Sequence, residues 1–168
     1  YIKATSIEEA STALSSNPEA KILAGGMTLI PTMKQRLASP EQLIDIRHIE
    51  ELKFIKNESD NIVIGSVSNH FEVYSSEIVR NNLPSLSKLA EGIGDPHVRN
   101  MGTIGGSITN NDPTADYPAA CLGLGATIKT TKREIKADEF FIDLFETILD
   151  EDEIVTQVSF PIIKNSCY

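Results

Sequence analysis

The sequence predicts an α+β fold in two lobes: a small parallel α/β lobe, then a mixed or antiparallel sheet carrying helices. Three observations predict it. Residues 21–46 read strand, glycine turn, helix, strand, the order of a parallel unit. Two pairs of short apolar runs, one flanking residues 57–61 and one flanking residues 131–133, read as hairpins. Helical spacing recurs between those hairpins, and no internal repeat or low-complexity linker interrupts the chain. The lobes are expected over residues 1–58 and 59–168.

The elements follow in order. Ser6-Ile7-Glu8-Glu9 is a capping box, in which the serine oxygen takes the amide three residues on and the glutamate reaches back. Ile7, Ala10, Ala13 and Leu14 continue at helical spacing, and Asn17-Pro18 ends the helix. Lys21-Ile22-Leu23-Ala24 is a short buried strand that breaks at Gly25-Gly26; a helix follows, with Pro31 tolerated in its first turn. Leu43-Ile44-Asp45-Ile46 is the next strand. Phe54-Ile55-Lys56 and Ile62-Val63-Ile64-Gly65 form the first hairpin. Asn69 caps a helix through Phe71, Val73 and Tyr74, and a second helix over 84–93 turns Leu86, Leu89 and Ala90 inward. A third covers 117–124, with Pro118 in its first turn. Ala126-Thr127-Ile128-Lys129-Thr130 alternates like a half-buried strand and pairs with Glu134-Ile135-Lys136. The acidic turn 150–153 reads as a solvated loop, and a last strand over 154–160 is closed by Pro161.

Composition sets bounds on function. At 168 residues the chain can bury a core without staples, and its 40% hydrophobic and 23% charged content is that of an ordinary globular protein. A net charge of −9 argues against nucleic acid, whose phosphates need a basic face, and against docking to anionic membranes. No apolar run reaches the length of a membrane span, so no membrane insertion is expected. Cys121 and Cys167 make neither a disulfide framework nor a cluster; they read as a buried thiol and a chain-end thiol. His48, His70 and His97 lack metal-ligand spacing, so no metal site is expected. With no signal peptide in view, the expected location is cytoplasmic.

The chemistry is concentrated in two glycine-rich stretches. Residues 98–119 hold Gly102, Gly105 and Gly106, small polar residues, two aspartates and two prolines, and read as backbone shaped to hold something rather than as a regular element. Gly105-Gly106 and Gly25-Gly26 both follow apolar residues and lie beside Thr103, Ser107 and Thr28. Successive exposed N–H groups in such turns make a concave anion site, so the two turns can grip one diphosphate from two sides. Hydrogen bonds to a charged acceptor contribute roughly 1.5–3 kcal/mol each, enough to anchor a phosphate without a lysine. Gly92-Ile93-Gly94 and Gly123-Leu124-Gly125 begin like dinucleotide fingerprints but lack the third glycine, and no phosphate-loop lysine follows either turn. Arg99 and Lys34 are the nearby cations, read first as salt-bridge partners. Asp112 reads as a turn residue, Asp116 stays open, and no acid–base or nucleophile constellation marks a catalytic residue.

Two long motifs carry a resemblance. Ala24-Gly25-Gly26-Met27-Thr28-Leu29-Ile30-Pro31-Thr32-Met33-Lys34 is the first; the second is Val98-Arg99-Asn100-Met101-Gly102-Thr103-Ile104-Gly105-Gly106-Ser107, continued by Asn111-Asp112-Pro113-Thr114-Ala115-Asp116-Tyr117-Pro118-Ala119. In this order they resemble the FAD-binding medium subunit of molybdenum hydroxylases, the family of carbon monoxide dehydrogenase medium chains and the flavin domain of xanthine dehydrogenase. The likeness runs along nearly the whole chain and is nearest in form to the carbon monoxide dehydrogenase type.

The resemblance implies a two-lobed FAD-binding fold of the vanillyl-alcohol-oxidase type. It implies that Ala24, Gly25, Gly26, Met27, Thr28 and Leu29 wrap the pyrophosphate with main-chain N–H groups. Thr103, Ile104, Gly105, Gly106 and Ser107 would close on it from the other lobe. Asp116 falls on the family's acidic FAD contact, and Val155 on a position that touches the flavin. Ile93 stands where xanthine dehydrogenase-like chains place an aromatic residue over the isoalloxazine, a departure from the pattern. Family chains continue into a C-terminal domain; this sequence, from Tyr1 to Tyr168, is read as the N-terminal FAD-binding part alone.

The function so implied is that of a flavoprotein subunit of an oxidoreductase. A molybdopterin large subunit would oxidise the substrate, a small subunit with two 2Fe–2S clusters would carry the electrons, and FAD here would pass them to an external acceptor. The alternatives are an assembly module of the same complex that has lost flavin, and a stand-alone flavin oxidase.

Overall fold

The computed structural model describes residues 1–163; Cys167 lies outside the described residues. The small lobe is a three-stranded parallel sheet, built from β1 (Ile2–Lys3), β2 (Ala20–Leu23) and β3 (Gln42–Asp45) in the order β1-β3-β2. Helix α1 (Ile7–Ser16) and the short α2 (Leu29–Lys34) lie between the strands in sequence. Ser6 caps α1 by accepting from the Glu9 amide at 3.1 Å. The Glu9 carboxylate turns to the Thr5 amide and hydroxyl, at 2.7 and 2.8 Å, so the expected box closes one residue early. Strand β1 was not legible, because two residues carry no period.

The β3 strand ends on a carboxylate. Asp45 is fully buried and accepts from Arg47 Nε at 3.0 Å, Arg47 Nη2 at 2.5 Å and the Tyr1 hydroxyl at 2.5 Å. Burial alone would raise its pKa, but the Arg47 and Tyr1 hydrogen bonds outweigh it and hold the carboxyl well below the usual range. The pair fastens the chain's first residue to the turn leaving β3.

The larger lobe opens with the hairpin of β4 (Ile55–Glu58) and β5 (Asn61–Gly65). Seven helices follow: α3 (His70–Ser75), α4 (Glu77–Asn82), α5 (Pro84–Gly92), α6 (Pro96–Met101), α7 (Ile104–Asn110), α8 (Asp116–Gly123) and, after two strands, the single turn α9 (Ala137–Phe140). Those strands are β6 (Thr127–Thr130) and β7 (Glu134–Lys136). A small hairpin of β8 (Phe141–Asp143) and β9 (Glu146–Thr147) precedes the last strand, β10 (Val155–Pro161). The sheet order is β4-β5-β10-β6-β7, with antiparallel pairing throughout. The last strand is therefore its centre: Val158 faces Ile64 on one side and Ile128 on the other.

The core of this lobe combines sheet residues such as Ile62, Ile64, Ile128, Val158 and Phe160 with helix residues such as Leu86, Ile104, Ile108 and Tyr117, all fully buried. Burying each such side chain contributes about 1.5–3 kcal/mol. The small lobe's core holds Ala10, Leu14, Ile44, Ile46, Ile49 and Leu52, and takes in Val67 and Ile154 from beyond the hairpin, so apolar packing joins the lobes. Both strands of the β4–β5 hairpin belong to the larger sheet. We therefore propose the lobe boundary just before β4, where the expected division at residues 58 and 59 would have cut the hairpin.

Two expectations are corrected. The stretch 98–119 is largely helical, because its glycines stand at helix ends. Asp95 caps α6 with Pro96 at its first position, Gly102 terminates it, Thr103 caps α7, and Asn111 closes α7 in the left-handed region at φ 44°. The acidic turn at 150–153 is not simply solvated. Glu153 is buried and accepts from Thr130 Oγ1 at 2.5 Å and from Arg133 Nε and Nη2 at 3.1 and 2.9 Å.

Candidate functional site

The first motif leaves β2 at its carboxyl end, where parallel sheets place their ligands. Gly26 takes φ +72°, a conformation that side-chain-bearing residues rarely adopt, and α2 begins three residues later. Among the described residues, none of the amides of Gly25, Gly26, Met27, Thr28 and Leu29 donates a hydrogen bond to a protein group; the next amide, Ile30, donates to Gly26 O at 3.1 Å. Successive free N–H groups around a left-handed glycine form a cradle for an anion. Lys34 stands exposed at the far end of α2.

The second motif is built differently, and here the expected nest of free amides is corrected. Ile104 N donates to Ser68 O at 3.1 Å, Gly105 N to Ser66 O at 2.9 Å, Gly106 N to Thr103 Oγ1 at 3.1 Å and Ser107 N to Thr103 O at 3.0 Å. The protein has used these donors to fasten α7 to the segment after β5. What the motif offers a ligand is the exposed, bare backbone of Gly106 and the hydroxyls of Thr103 and Ser107. Ile104 is a fully buried core residue. Gly105 is glycine for packing: a Cβ there would stand 2.6 Å from Ser66 Cβ and 2.7 Å from Ser66 O.

The fold brings the two motifs into contact. A Cβ on Gly25 would stand 2.1 Å from Met101 O and 2.8 Å from Gly102 Cα, so the first turn lies directly on the backbone that opens the second motif. A Cβ on Gly106 would stand 4.0 Å from Ala24 Cβ. At Gly25 only glycine permits an approach this close.

The remaining candidates lie at different depths. Asp116 is half-buried at the start of α8, and its charge reaches His70 and Tyr117. Val155 is buried at the start of β10; the next residue, Thr156, accepts from the amide of Ser66, which packs on Gly105. Ile93 caps the end of α5 and packs partly on the larger core. Ile93 O and Gly94 O both accept from Arg99 Nη1 at 3.1 Å, so this arginine pins the loop before α6 instead of facing the cradle. Asp112 accepts from the Thr114 amide and hydroxyl at 2.9 and 2.7 Å, the turn role its sequence suggests.

Four contributors escaped the sequence reading. Ser66 and Ser68 supply the carbonyls that hold the second motif, but a small polar run after a strand gives no sign of what it faces. Asn111 is 9% exposed, and its amide donates to Asp143 O at 2.8 Å and Glu146 O at 3.0 Å, tying the β8–β9 hairpin to the end of α7. His70 is buried beside Gly102 and stacks on Tyr117 with ring centroids 5.3 Å apart. Burial pushes its pKa down to about 4, against an opposing pull from Asp116, so the ring is neutral near pH 7. Among the described residues, no group of three His, Cys, Asp or Glu side chains can hold a metal ion, and no helix is long and apolar enough to cross a membrane.

Comparison with known proteins matches residues 1–163 to a family model described as the FAD binding domain in molybdopterin dehydrogenase. The chain is 38% identical over 167 residues to the glyceraldehyde dehydrogenase medium chain of Sulfolobus acidocaldarius, covering 97% of this chain and 59% of that one. It is 42% identical over 147 residues to the carbon monoxide dehydrogenase medium chain of Hydrogenophaga pseudoflava, covering 85% and 51%. The fold superposes on a solved structure of carbon monoxide dehydrogenase from Hydrogenophaga pseudoflava lacking the Mo-pyranopterin moiety, with a TM-score of 0.95 and 40% identity over 97% of this chain and 58% of that one. The chain thus spans a little over half the length of the relatives it matches.

Proposed function

The chain belongs to the family of FAD-binding domains of molybdopterin dehydrogenases, and from that premise we propose that it is the electron-transferring FAD part of a medium subunit. The residues present fit the cofactor. The observation that carries the proposal is the run of unpartnered amides from residue 25 to residue 29, around a left-handed Gly26 and pressed against Met101 and Gly102. These amides would hold the diphosphate, each bond to a charged oxygen contributing about 1.5–3 kcal/mol. Ala24 and Gly106 would bound it on the other side, with the Thr103 and Ser107 hydroxyls as further donors. Asp116, Ile93 and Val155 are proposed to contact the rest of the cofactor.

When bound, FAD supplies the redox chemistry. This chain's residues bind and orient it, exclude water with the backbone contact between the motifs, and contribute no acid, base or nucleophile. We place substrate oxidation on a molybdopterin large subunit and the 2Fe–2S clusters on a small subunit, with electrons leaving to an external acceptor in the cytoplasm. The relatives' names, as medium chains of two different dehydrogenases, support a multi-subunit setting.

The test is the full-length subunit, purified with its companions and examined for flavin absorbance. Gly106→Val is the informative variant. Its Cβ meets Ala24 Cβ at 4.0 Å and, at 2.9 Å, the Thr103 hydroxyl that caps α7, and no backbone atom, so the variant is expected to fold at a cost of about 1 kcal/mol and to lose flavin. Gly105 is unsuitable, because a side chain there collides with the Ser66 backbone. Full flavin retention in Gly106→Val would remove the second motif from the site. A colourless wild-type complex would favour the assembly-module reading.

A further inference from the structure

Gly102 takes φ −63° and ψ 141°, a conformation open to any residue, so its backbone does not require glycine. Its surroundings do. A Cβ at Gly102 would stand 2.6 Å from His70 Nε2, its tightest neighbour, and 3.0 Å from His70 Cδ2 and from Val98 O. The same residue is held through its main chain, since the His70 amide donates to Gly102 O at 3.0 Å. Gly102 also carries Gly25 of the first motif, whose absent Cβ would stand 2.8 Å from Gly102 Cα. Behind His70 lies Tyr117, its ring tilted by 37° to the imidazole. Gly25, Gly102, His70 and Tyr117 thus form a chain of contacts in which the Gly25 and Gly102 backbones meet directly.

We propose that His70 is a positioning residue for the FAD cradle: wedged between Gly102 and Tyr117, its imidazole sets the distance at which the second motif meets the first. Gly102 is glycine because His70 fills the space its side chain would need. Two further facts set His70 apart from an ordinary core residue. The His70 Nδ1 and Tyr117 hydroxyl are buried without a hydrogen-bond partner among the described residues, a cost that an apolar pair would avoid. The neighbouring Asp116 carboxylate, proposed above as a cofactor contact, starts the helix that carries Tyr117. The ring therefore touches the backbone on which the first motif rests and the helix that opens with a proposed contact. The proposal rests on the reading that these motifs hold FAD.

The experiment measures the FAD dissociation constant of the full-length subunit by flavin fluorescence, with the melting temperature of the flavin-free protein recorded beside it. His70→Ala is expected to weaken FAD about tenfold. Gln can place a nitrogen where Nε2 stands, and His70→Gln is expected to bind within about threefold of wild type. Asn is one bond too short to reach Gly102, so His70→Asn should behave like His70→Ala. Gly102→Ala should weaken FAD in the wild-type background and cost clearly less once His70 is Ala, because the new methyl then meets only Val98 O, at 3.0 Å. Additive losses, an unchanged dissociation constant in His70→Ala, or rescue by Asn as good as by Gln would overturn the proposal. If His70→Ala does not fold, the comparison of Gln with Asn decides. Wild-type subunit that takes up no FAD would overturn the flavin reading and this proposal together; wild-type binding with unresponsive variants removes this proposal alone.

Discussion

Replacing Gly25 by alanine tests the contact on which the site depends. The added methyl would lie 2.1 Å from Met101 O and 2.8 Å from Gly102 Cα and Met101 C. The oxygen is about 1 Å inside the closest approach that carbon and oxygen tolerate. All three atoms are backbone, so no rotamer change relieves the clash; the turn must move away from α6, and the lobes with it. Overpacking a well-packed site costs about 1–3 kcal/mol, and with backbone as the obstacle we expect the upper end, near 3 kcal/mol. For a domain of this size that corresponds to a fall in melting temperature of about 6–12 °C. Flavin affinity should fall by at least about tenfold, because the free amides are carried away from Gly106. Differential scanning fluorimetry of the flavin-free protein and a flavin titration measure the two effects. Gly106→Ala is the control: its methyl meets no backbone atom but presses on the Thr103 hydroxyl that caps α7, so its melting temperature should fall by no more than about 2–4 °C. A Gly25→Ala protein that melts with wild type would refute the contact. One that melts early yet binds FAD fully would separate the contact from the cradle.

Two other predictions concern the supports of the site. Asn111 combines a left-handed backbone with two side-chain hydrogen bonds to the β8–β9 hairpin. In urea denaturation Asn111→Gly, which keeps the backbone free, should cost about 1–2 kcal/mol, and Asn111→Ala about 1 kcal/mol more. Equal costs would show that backbone conformation plays no part. Glu153 is held down to a pKa of about 2, because the Arg133 and Thr130 hydrogen bonds outweigh the raising effect of burial. Its folded-state value is below the ordinary 4.5, so its contribution is fully present above pH 4.5 and is lost as pH falls toward about 2. The stability gap between wild type and Glu153→Gln should therefore shrink across that window; a gap that stays constant would argue that the carboxylate's charge is irrelevant.

Local features were legible where a few neighbouring residues decide the outcome. Asn69 caps α3 as expected, accepting from the Glu72 amide at 2.8 Å, because both residues lie within one helical turn; that the Glu72 carboxylate answers to the Asn69 amide at 2.9 Å is the structure's addition. The hairpins at 55–65 and 127–136 pair as their alternation requires. The Gly25-Gly26 turn carries its meaning in sequence too, since a double glycine between a buried strand and a helix has few other uses. The second motif shows the limit. Its glycines read as a loop, yet two answer to something distant, Gly102 to His70 and Gly105 to the Ser66 backbone, while Gly106 faces open surface. Glycine reports that a side chain is excluded there, and says nothing about what excludes it.

The sequence by itself determined the two-lobed α+β plan, the pair of glycine motifs and the family they belong to. Periodicity, caps and motif order are properties of neighbouring residues, and they survive without any fold. Only the tertiary structure decided which motif keeps its amides free. That outcome depends on acceptors far away in the chain: Ser66 and Ser68 use up the donors of one motif, and the edge position of β2 leaves those of the other unclaimed. The contact of Gly25 with Gly102 likewise closes across more than seventy residues. An interaction of that span is set by how sheets and helices pack, and no local pattern can record it.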